Sequence, residues 1–342
     1  MNTLKVSSKR ENNRIAFFVA AVLLLILTVG CSLCLGAAHL SPEQLWKGLM
    51  DGAGGSLEGN VLWYARIPRT MACVCAGAGL AVSGAVIQSV LANKLASPGI
   101  IGVNAGAGLA VTICCAAGFL SGTVIAVGAF GGAMAAVLLI TMAARKIGAS
   151  RTTVILGGVA VNSCLNAASE AIRTLVPEAG VMSADFRVGG FSSVATSRLI
   201  PAAICIVISI LILMTLCNEL DVLSLGEESA QGLGLSVKKM RTVFLILAAL
   251  LAGASVSFAG LLGFVGLIVP HIGRYLVGGE SRHLIGFCAV GGALIVTLCD
   301  LLSRFLFQPY EIPVGILMSF IGGPVFLWIL LRSKGGHRHD SH

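Results

Sequence analysis

Charge is scarce in this 342-residue chain: 11% of residues are Asp, Glu, Lys or Arg, against about a quarter in soluble globular domains. That deficit, with 56% hydrophobic residues and a mean hydropathy of +0.95, excludes an ordinary water-soluble fold. No GxxxxGK[ST] loop is present, so the chain carries no nucleotide cradle of its own. HExxH is missing too, and no Ser, His and Asp cluster ends an apolar run, which removes the common designs for an intramembrane hydrolase. Acids within apolar runs mark ion relays in pumps and secondary transporters, and here they are few, Asp300 being the clearest. The 11 cysteines lie almost entirely inside apolar runs without metal-ligand spacing, and they read as small hydrophobes.

What is present is a series of apolar blocks of about 20 residues, the length a helix needs to cross about 30 Å of hydrocarbon. Ten spans are expected, at 16–36, 69–90, 98–118, 122–144, 152–172, 199–217, 242–260, 261–276, 284–303 and 313–332, the boundary between the seventh and eighth being the least marked. The alternation of a β-barrel is absent, and the 43 glycines suit close helix packing. The expected fold is therefore all-α: a polytopic membrane protein with a short N-terminal tail (1–15), one transmembrane domain (16–333) and a tail (334–342) containing "GGHRHDSH". That tail is read as solvated, with weak metal binding as the alternative. The first block is too long for a signal-peptide core and lacks a clear cleavage site.

Placing the N-terminus in the cytoplasm puts Lys5, Lys9, Arg10, Arg14, Lys94, Arg145, Lys146, Arg151, Lys238, Lys239, Arg241, Arg274, Arg282, Arg332, Lys334 and Arg338 inside, the majority of the 23 Lys and Arg residues. Both termini are then cytoplasmic, and the net charge of +8 needs no nucleic acid to explain it. Arg66, Arg69 and Arg304 fall outside, against the trend. Each is either a snorkelling anchor or part of a receptor for an anionic partner. Asp300 lies four residues before Arg304, a spacing that places both on one helix face as an ion pair. On the inner side, residues 218–241, "NELDVLSLGEESAQGLGLSVKKMR", are polar and long for a bundle connection. They pattern as a short amphipathic helix with Leu225, Ala230 and Leu233 along one side, broken by Gly226, Gly232 and Gly234. The segment is either a docking surface for a soluble motor or a plain surface turn.

The stretch "RIPRTMACVCAGAGLAVSGAVIQSVLANKLASPGIIGVNAGAGLA" resembles the signature of the permease subunits of type II ABC importers for iron-siderophore complexes, haem and cobalamin. The elements stand as Arg66, Pro68, Arg69, Gly84, Gln88, Asn93, Leu95, Ala96, Pro98 and Gly99. "LGEESAQGLGL", "GFVGLIVPHIGRYLVGGESRHL" and "DLLSRFLFQPYEIPVGILMSFIGGPVFLWILLR" continue the match from about residue 60 to the end of the apolar region. The resemblance implies a ten-helix fold with an inverted repeat relating spans two to five to spans seven to ten. It implies a homodimer or paired permease in a prokaryotic plasma membrane, two cytoplasmic ATPases that bind the ATP and Mg, and an extracytoplasmic binding protein; the chain itself would be no enzyme and hold no cofactor.

Carried over residue by residue, the resemblance makes Arg66, Arg69 and Arg304 the receptor for carboxylates on the binding protein. Pro68 would begin the second span and hold the two arginines at its rim. Gly226, Glu227, Ala230, Gly232 and Leu233 become the element seated in the ATPase, and Ala149 and Ser150 of "GASRTT" the inner gate. Gln88, Asn93 and Arg187 are candidates for the substrate path. Arg187 follows Phe186 in "FRVGGF", where many relatives carry Trp, so a cation stands at the outer mouth; it either attracts an anionic chelate or is an interfacial arginine. Two other classes remain open: an ion-coupled secondary transporter, which needs intramembrane carboxylates or broken helices forming ion sites, and a membrane-embedded enzyme, which needs a clustered nucleophile or metal site.

Overall fold

A computed structural model describes residues 2–35, 41–52, 54–147, 151–306 and 310–335. All regular structure among them is helical. The chain opens with α1 (Asn2–Cys34), whose apolar part from Asn13 packs on the outside of the bundle with Phe17, Phe18, Leu23, Leu24, Ile26 and Leu27 exposed. Two short helices follow, α2 (Pro42–Asp51) and α3 (Leu57–Val61), in a stretch where the sequence reading placed no element. The start of α2 is fixed by a capping box: Ser41 Oγ accepts from the Gln44 amide at 3.2 Å and Gln44 Oε1 accepts from the Ser41 amide at 2.9 Å, with Pro42 just inside the helix.

Helix α3 runs without a break through a π-turn (Leu62–Arg66) into α4 (Ile67–Val90). Pro68 stands in the first turn of α4, as expected, but the span does not begin there and runs back through the π-turn to Leu57. A proline lacks the N–H for the ladder and crowds the carbonyl four residues back, and the widened π-turn immediately before it accommodates both. Beyond α4 come α5 (Val103–Ala116), α6 (Gly122–Ile147), α7 (Arg151–Leu175), the short α8 (Pro177–Met182) and α9 (Ala184–Val188), and α10 (Thr196–Thr215). The rest consists of α11 (Cys217–Ser224), α12 (Glu227–Gly232), α13 (Val237–Ala259), α14 (Val265–Leu276), α15 (Ser281–Phe305) and α16 (Val314–Gly335).

Helices α4, α13 and α15 form the centre, and small residues let them approach. A Cβ on Gly77 would overlap the Gly292 carbonyl of α15 and one on Gly292 the Gly77 carbonyl, so α4 and α15 touch backbone to backbone. Packing partners come in matched pairs: α4 lies along α15 as α13 lies along α6, α5 along α6 as α14 along α15, and α4 and α13 against each other. Since α4 runs away from the α2/α3 end of the bundle and α13 runs toward it, the two halves are related in opposite senses, the pattern of an inverted repeat.

Among the described residues, seven helices are long and apolar enough to cross a membrane. Of the ten expected spans, two become shorter helical pieces, α5 of 14 residues and α14 of 12, while the last is met by α16 of 22 residues. Twelve helical residues reach only about 18 Å. The remainder of that segment is irregular backbone at 260–264, and α5 is likewise preceded by an irregular stretch at 91–102. Each stretch contains one of the two non-glycine residues with positive φ among those described, Ala92 (φ 45) and Phe264 (φ 64). Such backbone is tolerated at membrane depth where protein surrounds it. Here Leu262 and Val265 to Pro270 are buried, and the Leu261 amide donates to the Phe186 carbonyl at 2.9 Å. The two irregular stretches meet across a small polar cavity lined by Ser97, Pro98, Asn104, Gly263 and Phe264.

Candidate docking and coupling sites

At the α2/α3 end, four charged side chains from three parts of the chain converge. Asp300, fully buried on α15, is the hub. Arg69 Nε donates to both carboxylate oxygens, at 3.0 and 3.2 Å, and Arg304 pairs with Oδ2 at 2.9 Å. Arg69 also reaches Glu311 at 2.8 Å, a partly exposed acid just before α16. Arg304 Nε donates to the Asp300 carbonyl at 3.4 Å, and its terminal nitrogens reach the end of α1: Ser32 Oγ at 2.7 Å, the Leu35 carbonyl at 3.2 Å and the Ser32 carbonyl at 3.3 Å. Arg66, at the close of the π-turn, donates to the Leu33 carbonyl. The two arginines thus cap the last carbonyls of α1, where the helix dipole favours a cation.

This corrects the picture of three arginines facing solvent. Arg66 and Arg304 are 6% and 5% exposed, and both are engaged within the chain. Arg69 remains partly accessible. The expected Asp300–Arg304 ion pair is present, but it belongs to a larger cluster. Glu311 was missed, although an acid set between Pro309 and Pro313 in an otherwise apolar stretch was a visible signal. Asp300 and its two arginines hold α4, α15 and α1 together. Removing one member of such a buried set typically costs about 3–5 kcal/mol, since it strands a charge.

At the opposite end, α11 and α12 form a compact knob. Glu227 pairs with the buried Arg241 of α13. Asp221 Oδ1 accepts from the Ser281 amide at 2.9 Å and its hydroxyl at 2.6 Å, tying α11 to the start of α15. Arg151, the first residue of α7, donates to the Leu223 carbonyl at 2.9 Å. The expected stripe of Leu225, Ala230 and Leu233 is not formed: Ala230 is fully buried, whereas Leu225 and Leu233 are 64% and 66% exposed. Positive φ at Gly226 (115°) breaks the chain between Leu225 and Ala230, and Leu233 lies just past the last helical residue, Gly232, so the three do not share a helix face. Gly232 is exposed, and a Cβ there would meet nothing within 4 Å.

The path candidates separate. Gln88 is 2% exposed and faces the α4–α14 contact, its amide nitrogen donating to the Gly266 carbonyl at 3.2 Å while its oxygen accepts from Arg274. It joins α4 to α14. Asn93 shapes a turn, Oδ1 accepting from the Leu95 amide at 2.9 Å. Arg187 is exposed on α9 at the α2/α3 end. Ala149 and Ser150 lie outside the described residues.

The FecCD transport family model matches residues 23–332. The Fe(3+)-citrate import permease YfmD of Bacillus subtilis is 35% identical, over 96% of this chain and 98% of that protein. The hemin transport permease HmuU of Yersinia pestis is 33% identical, over 95% and 98%; the vitamin B12 import permease BtuC of Vibrio cholerae is 32% identical, over 92% and 94%. A solved ABC transporter of metal-chelate type, in an inward-facing conformation, superposes with a TM-score of 0.83 at 28% identity, over 93% of this chain and 99% of that one. The apolar helices, the inverted pairing of the two halves and these matches agree, and the chain is a multi-pass membrane protein of the FecCD transport family, a family of transport permeases.

Proposed function

We propose that this chain is the membrane-spanning subunit of an ATP-driven importer of iron chelates, a ferric siderophore being the favoured cargo over haem or cobalamin. In this reading two copies pair around the path. The α11/α12 end faces the cytoplasm and carries two ATPases; the α2/α3 end receives a binding protein. The observation that carries it is the knob itself: a polar element held by three separate anchors that nonetheless presents Leu225 and Leu233 to its surroundings. Rigid mounting with an exposed apolar tip suits docking to a soluble partner. An ion-coupled mechanism is less well supported, because Asp300 is held by two arginines and is not poised to bind a transported ion.

Gly232→Trp tests the reading. Open space at that position lets the indole extend outward without disturbing the bundle. The variant should insert and fold normally, yet fail to co-purify with the cognate ATPase or lose ATP-dependent ferric-siderophore uptake in proteoliposomes. Normal association together with normal uptake would sink the assignment.

A further inference from the structure

A second feature of the α11/α12 end lies apart from the knob. Where α1, the last turn of α10, the end of α14 and the first turns of α15 come together lies a cleft of about 300 Å³. Its floor is apolar, formed by Ile15, Phe18, Met214 and the buried Val277. Its rim is basic, formed by Arg14, Arg282 and His283. Arg14 and Phe18, like Arg282 and Gly286, are four residues apart on their helices, so Phe18 and Gly286 sit about 6 Å further along the bundle than the two arginines. Depth is therefore graded from charged to apolar as in the interfacial layer of a bilayer. Gly286 leaves the floor open: a Cβ there would approach only Phe18, at 3.8 Å.

The acids around the rim have partners of their own, which leaves Arg282 as the cation to be satisfied. Glu280 accepts from Arg14 at 3.5 Å and from His283 Nδ1 at 3.1 Å, and Asp221 is engaged by Ser281. Arg282 is exposed and forms no ion pair among the described residues. We propose that this cleft binds one anionic phospholipid, with its phosphate held between Arg282 and Arg14 and an acyl chain laid along Phe18, Met214 and the gap at Gly286. A zwitterionic lipid fills the floor equally well but gains little from the rim, so selectivity comes from the arginines. The lipid would wedge peripheral α1 to the core through α15, independently of which cargo is carried.

The test is native mass spectrometry of delipidated, detergent-solubilised protein titrated with phosphatidylglycerol or phosphatidylcholine. The wild type should retain one phosphatidylglycerol in preference to phosphatidylcholine. Arg282→Gln should reduce that preference about fivefold, as expected for one arginine near an anionic headgroup. Gly286→Leu, which favours the helix and fills the floor, should abolish retention of either lipid while leaving the far-UV helical signal unchanged. Equal retention of the two lipids by the wild type, or an undiminished preference in Arg282→Gln, overturns the proposal. Displacement of the bound lipid by millimolar inorganic phosphate alone also overturns it, since the acyl chain would then contribute nothing.

Discussion

The Arg69 guanidinium bridges a buried acid and an accessible one: its Nε is held by Asp300 while Nη1 donates to Glu311 at 2.8 Å, across 242 positions of sequence. The Glu311 side chain is 39% exposed, against none for Asp300. Glu311 is therefore the accessible carboxylate on Arg69.

If the binding protein engages Arg69, Glu311→Gln removes a competitor. Exposed pairs of this kind contribute about 0.2–1 kcal/mol. The variant should show unchanged thermal stability in detergent to within about 1 kcal/mol and bind its extracytoplasmic partner up to about fivefold more tightly at low salt. Surface plasmon resonance would check this, and weaker binding would contradict the exchange.

Asp300→Asn is expected to be severe for a different reason. It leaves Arg69 and Arg304 facing a neutral group in a buried setting, at a cost of about 3–5 kcal/mol. Folded yield in detergent should fall sharply, measured by size-exclusion recovery and thermal unfolding. For the same reason, a charge reversal at Arg69 confounds docking with folding, and Glu311 is the better probe.

Loosening the knob should separate hydrolysis from transport. Glu227→Gln removes the partner of Arg241 but leaves the Asp221 and Arg151 anchors in place. ATPase association should persist, with ATP hydrolysis near the wild-type rate and uptake reduced severalfold in proteoliposomes. A parallel loss of both rates would assign Glu227 to binding alone.

Gly77→Leu should disrupt the centre of the bundle, because its side chain would have to displace the Gly292 backbone. Overpacking costs about 1–3 kcal/mol even where side chains can yield, and here the obstacle is backbone. Thermal unfolding should shift down clearly, while Gly232→Leu, facing open space, should leave it unchanged.

Apolar blocks and glycine content made the helical bundle legible in the sequence, because a helix that crosses hydrocarbon must satisfy its own backbone. The irregular stretches ahead of α5 and α14 were not. Hydropathy cannot distinguish "GLLGFVGLIV" as one helix from the same residues with a left-handed turn at Phe264, since both are apolar and both are covered by protein. The ion pair of Asp300 and Arg304 could be read because four residues on one helix fix a geometry. Burial of Arg66 could not, because its acceptor is a carbonyl 33 positions away on another helix. Nor could the divergence of Ala230 from Leu225 and Leu233, which depends on the turn at Gly226 and on where α12 ends, both of which the residue pattern leaves open.

The contact of Gly77 with Gly292 also sets how force travels. With no side chain between them, α4 and α15 have nothing compressible at their crossing, and the interior of α4 is buried along nearly its whole length. At one end α4 carries Arg69, clamped to Asp300; at the other it carries Gln88, bonded to α14 and to Arg274. The helix behaves as a strut with both ends pinned. A displacement imposed on the Arg69 end moves the Gln88 end by translation or tilt, and the strain collects in the non-helical backbone at 91–102 and 260–264, where scattered turn hydrogen bonds replace the regular helical ladder.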